Sequence, residues 1–190
     1  MAEEEKITPE EVKKPTPVGK FFHQYGYLVI TALTVLVLFR GVFNLAYVPT
    51  SSMEPTLPVK SLFLSLRLPW LAADPEPEQG DIMMFYSQEY DQIMVKRVIG
   101  LPGETIQIKD GMIYIDGEVY LEKKSYPVIT NPGMASDGIT LGNQEYFVLG
   151  DNRNNSVDSR FADVGTVKAS YIEGKVWFVL SPSEHRGLVK

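Results

Sequence analysis

Two side chains equipped for bond breaking stand out. Ser52 lies in Val48-Pro-Thr-Ser-Ser-Met-Glu-Pro-Thr-Leu57, and Lys96 lies in Gln92-Ile-Met-Val-Lys-Arg-Val-Ile-Gly100. A serine hydroxyl attacks a carbonyl effectively only when a nearby base takes its proton. Lys96 is a candidate for that base. Strand alternation puts Met94, Lys96 and Val98 on one face of the segment, and Ile93, Val95, Arg97 and Ile99 on the other. If the lysine's face turns inward, desolvation disfavours the ammonium and lowers its pKa by up to roughly 3 to 5 units, which supplies a neutral amine near physiological pH. Each residue alone has a plainer reading. A lysine on a strand edge keeps its head in water, and a serine among prolines belongs to a turn. The combination is what points to chemistry: Pro49 and Pro55 stiffen the segment around Ser52, while Thr50 and Ser51 bring further hydroxyls beside it.

Other chemistries are short of material. The 190 residues include no cysteine, so disulfides, thiolate metal sites and a cysteine nucleophile are excluded. There are 2 histidines, His23 at the edge of an apolar run and His185 near the carboxyl end. Neither sits beside a loop of polar candidates, which disfavours both a Ser-His-Asp triad and a zinc site built on histidines. No metal and no cofactor are expected. A formal net charge of -6 with no basic stripe argues against nucleic acid as a partner.

The chain divides into three stretches. Residues 1–20 mix glutamates, lysines and prolines, a composition that buries too little apolar surface to offset the entropy of ordering, and read as a flexible tail. Residues 21–39 contain no Asp, Glu, Lys or Arg, and a helix of that length approaches the roughly 30 Å hydrocarbon core of a bilayer. The run is too long for a cleavable leader, and Leu45-Ala46-Tyr47 is a poor cleavage site, so an uncleaved transmembrane helix is expected. Lys6, Lys13, Lys14 and Lys20 precede it while Arg40 alone follows closely, which places the amino end in the cytoplasm and residues 40–190 outside. With 44% hydrophobic residues overall, that last stretch can hold one sizeable core.

Beyond Pro49 the pattern is mostly β. Residues 82–86, 93–99, 105–109, 112–115, 146–149 and 175–180 are rich in β-branched, aromatic or other apolar residues between turn signals. Asp110-Gly111 and Asp116-Gly117 separate consecutive strands as tight hairpins, so the sheet is expected to be antiparallel. Asp74-Pro-Glu-Pro-Glu-Gln79 reads as a surface loop. After the strand at 146–149 comes Gly150-Asp-Asn-Arg-Asn-Asn-Ser-Val-Asp-Ser-Arg160, with Asp151 close to Arg153 and Asp158 close to Arg160. The ordinary reading is a solvated turn. The functional one is a hydrogen-bonded shell that fixes the lysine, with Ser156 as a partner for its amine.

Four of these segments together resemble bacterial type I signal peptidase, the leader peptidase: Ser-Met-Glu-Pro-Thr-Leu after a membrane span, Gly80-Asp-Ile-Met-Met-Phe85, Val95-Lys-Arg-Val-Ile-Gly-Leu-Pro-Gly-Glu104, and the loop from Gly150 to Arg160. They occur in the family's order and span most of the chain from Val48 to Gly165. The resemblance implies a Ser-Lys peptidase, anchored in the plasma membrane, that removes signal peptides from exported preproteins on the outer side. Ser52 then matches the nucleophile and Lys96 the general base. Thr50 matches a hydroxyl residue that helps bind the oxyanion, Ser156 the residue that orients the lysine, and Asp151, Arg153, Asp158 and Arg160 a structural polar loop. Thr50-Ser51 replaces the commoner Ser-Gly, Lys60-Ser61 stands where Gly-Asp is frequent, and Asn154 stands where Asp is frequent.

The expected partners are signal peptides and membrane lipid. A substrate bound as an added strand would present alternate side chains to shallow pockets that admit small residues, with Val48 and Val95 as candidate lining. Two other readings compete. A self-cleaving peptidase of the LexA-like kind shares the dyad but usually carries a DNA-binding domain, and a tethered β-rich scaffold would fit the composition yet cut nothing.

Overall fold

A computed structural model describes residues 17–67 and 76–189, in two compact units that divide after Arg40. The tail reading of residues 1–16 and the first two residues of the loop Asp74–Gln79 lie outside the described residues.

The described part of the first unit is a helix, α1 (Pro17–Val42), whose last residues Gly41 and Val42 fall in the second unit. It begins at Pro17, inside the stretch expected to be tail. Proline suits a first helical turn because its missing N–H would have gone unpaired there and its φ is already helical. The segment Gln24–Val42 has a mean hydropathy of 1.8 and none of it is buried. Tyr27, Ile30 and Val37 are all exposed. A helix apolar on every side does not belong on a water-facing surface. By length and composition it can cross a membrane.

The second unit is built from antiparallel strands: β1 (Phe43–Tyr47), β2 (Leu62–Leu66), β3 (Ile82–Ser87), β4 (Gln92–Gly100), β5 (Thr105–Lys109), β6 (Met112–Ile115), β7 (Glu118–Val119), β8 (Ile139–Thr140), β9 (Glu145–Leu149), β10 (Val167–Lys168), β11 (Ile172–Ser181) and β12 (Gly187–Leu188). The larger sheet runs β1-β2-β11-β3-β4-β9-β10, with β12 added beside β11, and the smaller runs β7-β6-β5-β8. All six expected strands are present, β5 and β6 with the expected ends. Asp110 and Gly111 both take positive φ, as do Asp116 and Gly117, so each pair forms the tight turn that its sequence favours.

The fold was mostly β as expected, yet β1 and β2 were not anticipated, and they frame the serine. They pair with each other from Phe43↔Leu66 to Tyr47↔Leu62. The segment between them leaves the sheet and returns, carrying Ser52. Its apolar residues Val48, Met53 and Leu57 are buried with Phe63, Ile82 and Met84. A second cluster, including Met83, Phe85, Val98 and Val148, packs elsewhere on the same sheet. A third joins Ile99, Phe147 and Leu149 to Ile106 and Ile108 of the smaller sheet. β4 contributes to all three through Val95, Met94 and Val98, and Ile99. It is therefore one of the most firmly held elements in the unit, a fit platform for a residue that must stay in place.

Candidate active site

Ser52 lies in a single turn of 3-10 helix, Ser51–Met53. Burial of Met53 and Leu57 pins this turn from below, and main-chain bonds from Val48 N–H to Ser61 O (2.9 Å) and from Lys60 N–H to Val48 O (2.7 Å) close the excursion at its base. Ser52 itself is only 8% exposed.

Lys96 projects from β4 and is 3% exposed. Met83 is its register partner on β3, and Met94 and Val98 flank it on its own face. Its Nζ donates to Ser52 Oγ at 2.9 Å and to the Val95 carbonyl at 3.1 Å. Among the described residues no carboxylate bonds to it. Burial pushes the amine down from 10.5 to about 8, against a smaller upward pull from the Asp158 carboxylate. Near neutral pH an appreciable share of such lysines carries no proton, and the unprotonated nitrogen faces a hydroxyl within transfer distance. Thr50 Oγ1 lies 3.2 Å from Ser52 Oγ, so a second hydroxyl attends the nucleophile.

The polar loop that follows β9 differs in detail from its expected pairing. Asp151 does not pair with Arg153. Its carboxylate accepts from both Nε and Nη2 of Arg97, each at 2.7 Å, and all of this is buried. Arg153 turns instead to Glu122, taking both carboxylate oxygens at 2.6 and 2.5 Å, and its guanidinium stacks 4.2 Å from the Tyr126 ring. Asp158 and Arg160 do pair, at 2.8 and 2.9 Å, and Asp158 also accepts the Gly150 N–H at 3.0 Å. Arg160 Nη2 then donates to the Arg153 carbonyl at 2.6 Å. The loop is therefore an internal scaffold rather than a solvated turn: buried charges need partners, and each of these has one.

Ser156 enters the same neighbourhood without the expected bond. Its hydroxyl is buried and has no partner among the described residues, while the lysine's second bond goes to its own neighbour Val95. Gly150 explains how close the loop comes. A Cβ there would lie 2.2 Å from Ser156 Oγ and 2.5 Å from the Ser52 carbonyl oxygen, so only glycine allows this approach.

Val48 and Val95, the expected lining residues, do share a cleft of about 410 Å³ with Phe63 and Met84, and Ser52 and Lys96 border it. A cleft of about 390 Å³, bordered by Ser51, Asn155 and Ser156, also reaches Ser52 and Lys96. Among the described residues no group of three or more His, Cys, Asp or Glu side chains is placed to hold a metal ion. Residues that sequence reasoning passed over are Arg97, Asn152 and Asn155. Arg97 carried one usable signal: a cation on the face of β4 shared with Val95 and Ile99 needs a buried anion. The asparagines carried none, because each touches a residue about a hundred positions away.

Comparison with known proteins adds a second line of evidence. Residues 22–181 match the protein family described as signal peptidase, peptidase S26. A probable signal peptidase I-2 from Synechocystis is 29% identical, covering 93% of this chain and 81% of its own length. A signal peptidase I from Bacillus amyloliquefaciens is 33% identical, covering 96% of both chains. A solved signal peptidase I from Enterococcus faecalis V583 is 34% identical, with a TM-score of 0.45, covering 57% of this chain and 100% of its own.

Proposed function

This chain belongs to the signal peptidase family, peptidase S26, and on that premise we propose that Ser52 and Lys96 cleave signal peptides from exported preproteins as nucleophile and general base. The observation that carries the reading is the 2.9 Å contact between the Ser52 hydroxyl and a desolvated lysine whose pKa falls to about 8.

Neutral Lys96 takes the Ser52 proton as Oγ bonds to the scissile carbonyl carbon. The carbonyl oxygen becomes an oxyanion, stabilised by the Ser52 N–H and the Thr50 hydroxyl, a kind of donor commonly worth about 3 to 4 kcal/mol. Collapse breaks the C–N bond, and the Lys96 ammonium returns its proton to the departing amine. An acyl-enzyme remains. Water then attacks its carbonyl carbon with Lys96 accepting a proton, and as the C–Oγ bond breaks the Lys96 ammonium returns that proton to Ser52 Oγ, which frees the new carboxyl end and restores both residues. Asp151, Arg153, Asp158 and Arg160 hold the loop that packs against this pair, and Ser156 stands beside it as a hydroxyl free to meet the amine once substrate has displaced the present contacts.

The cleft bordered by Val48 and Val95 takes the residues before the cut. Being apolar and modest in volume, it favours small side chains there. The α1 span anchors the enzyme in the plasma membrane as a single pass, with the amino end in the cytoplasm and residues 40–190 outside. From Arg40 to Ser52 an extended chain reaches only about 40 Å, so the nucleophile stays near the outer leaflet, where membrane-held signal peptides emerge beside lipid.

The test is preprotein cleavage in detergent by the wild type, Ser52→Ala, Lys96→Ala and Ser156→Ala. Loss of cleavage in the first two variants, with a partial loss in the third, is expected. Cleavage by Lys96→Ala at the wild-type rate across pH would sink the dyad.

A further inference from the structure

Ser52 and Lys96 sit on elements that the sheet does not register directly. The β1-β2 excursion carries the serine and β4 the lysine, and β11 and β3 lie between β2 and β4. Twist or breathing across the intervening strands would be passed on to the Oγ–Nζ distance. A more direct link is present. β9 pairs with β4 through Arg97↔Leu149 and Val98↔Val148, and the chain leaving β9 immediately grips both reacting residues' neighbours. Asp151 holds Arg97, next to the lysine, by two 2.7 Å bonds. Asn152 holds the serine turn: its main-chain N–H donates to Ser52 O at 3.0 Å and its Nδ2 to Ser51 O at 3.1 Å. Asn155 adds a bond from Nδ2 to Ser51 Oγ at 3.0 Å, and its own N–H donates to Asn152 O at 2.9 Å, so the two asparagines form one turn.

We propose that Asn152 and Asn155 are positioning residues that brace the Ser51-Ser52 turn against the Arg97-Asp151 pair and so set the separation of nucleophile and base. The inference rests on the Ser52-Lys96 reading above and deepens it. Amide side chains suit this task for two reasons. The groups to be held at Ser51 and Ser52 are carbonyl oxygens and a hydroxyl, which need donors, and Ser51 O already accepts the Glu54 N–H at 3.1 Å. A carboxylate would repel the carbonyl and raise the pKa of the lysine nearby, whereas a neutral amide does neither. Ser51 is part of the device, because its hydroxyl is what Asn155 holds.

The experiment compares steady-state preprotein cleavage by the full chain in detergent for the wild type, Asn155→Ala, Ser51→Ala, the double variant and Asn152→Asp, with Ser52→Ala as the inactive control. Misplacement without loss of a reacting group lowers kcat while KM holds, and about tenfold is expected for Asn155→Ala. Ser51→Ala should match it, and the double variant should be no worse than either, because one bond is removed twice. The pH at half-maximal rate should stay where the wild type has it in these variants and rise in Asn152→Asp. Wild-type kcat in Asn155→Ala, or an undiminished further loss when that change is added to Ser51→Ala, overturns the brace. A fall in kcat matched by early thermal melting in both single variants also overturns it, since the loss is then one of folding. Equal cleavage by wild type and Ser52→Ala overturns the dyad reading and the brace with it, an outcome separate from loss in Ser52→Ala alone.

Discussion

Lys96 and Arg97 are neighbours on one strand, both cationic by type and both almost wholly buried, at 3% and 5% exposure, yet they meet opposite fates. The lysine's surroundings are apolar and its contacts are a hydroxyl and a carbonyl, so burial wins and its pKa drops to about 8. Burial pushes the guanidinium down as well, but the Asp151 carboxylate, with Tyr126 and Glu122 behind it, more than offsets this and the net shift is upward. Burial alone therefore decides nothing about charge. The partner decides, and strand alternation lets one stretch of chain place a bonded carboxylate against the arginine while the lysine feels only the weaker, unbonded pull of Asp158.

The sharpest break of this contrast is Lys96→Met. It removes the base and should lower preprotein cleavage by about a thousandfold or more, the scale expected of a general base, in a chain that still folds. On the other face, Asp151→Ala strands a buried guanidinium and should cost about 3 to 5 kcal/mol in denaturant unfolding, while Arg97→Met combined with Asp151→Leu should cost far less because no charge is left unpaired.

Stability should also depend on pH through the lysine. The unfolded chain keeps this proton up to about 10.5 and the folded chain releases it near 8, so between those values the unfolded state binds more protons and stability rises with pH. The gain is complete above the unfolded value, is lost as pH falls through the folded one, and amounts to roughly 3 kcal/mol. Unfolding curves of Lys96→Met over the same range should lack this rise. Giving the lysine's face an anion sharpens the comparison further: Met94→Glu should move the rising limb of the activity profile to higher pH by about 1 unit, which makes Lys96 behave more like Arg97. The smallest effect belongs to Glu122→Gln, which keeps a hydrogen bond to Arg153 but loses its charge and should cost about 1 kcal/mol in thermal or denaturant unfolding.

Much of this was legible in the order of residues, and the illegible parts share a cause. β5 and β6 declare themselves by alternation between Asp-Gly turns, so their ends follow from local signals. β1 begins directly where α1 ends, and what makes it a strand is β2, the segment that comes back after the Ser52 excursion. The same holds in the site. Asp158 and Arg160 are near in sequence and do pair, but Asp151 ignores Arg153 for an arginine 54 positions away. A buried carboxylate takes the donor that packing brings to it, and proximity along the chain gives no priority.

Residue types and their spacing were enough to name a hydroxyl, an amine without a histidine rival, an apolar span and a run of β-strands, because periodicity and composition are local properties. Whether the amine meets the hydroxyl, which carboxylate answers which arginine, and that Ser156 is left without a partner among the described residues were settled only by folding, since each depends on groups that distant segments bring into a space closed to water.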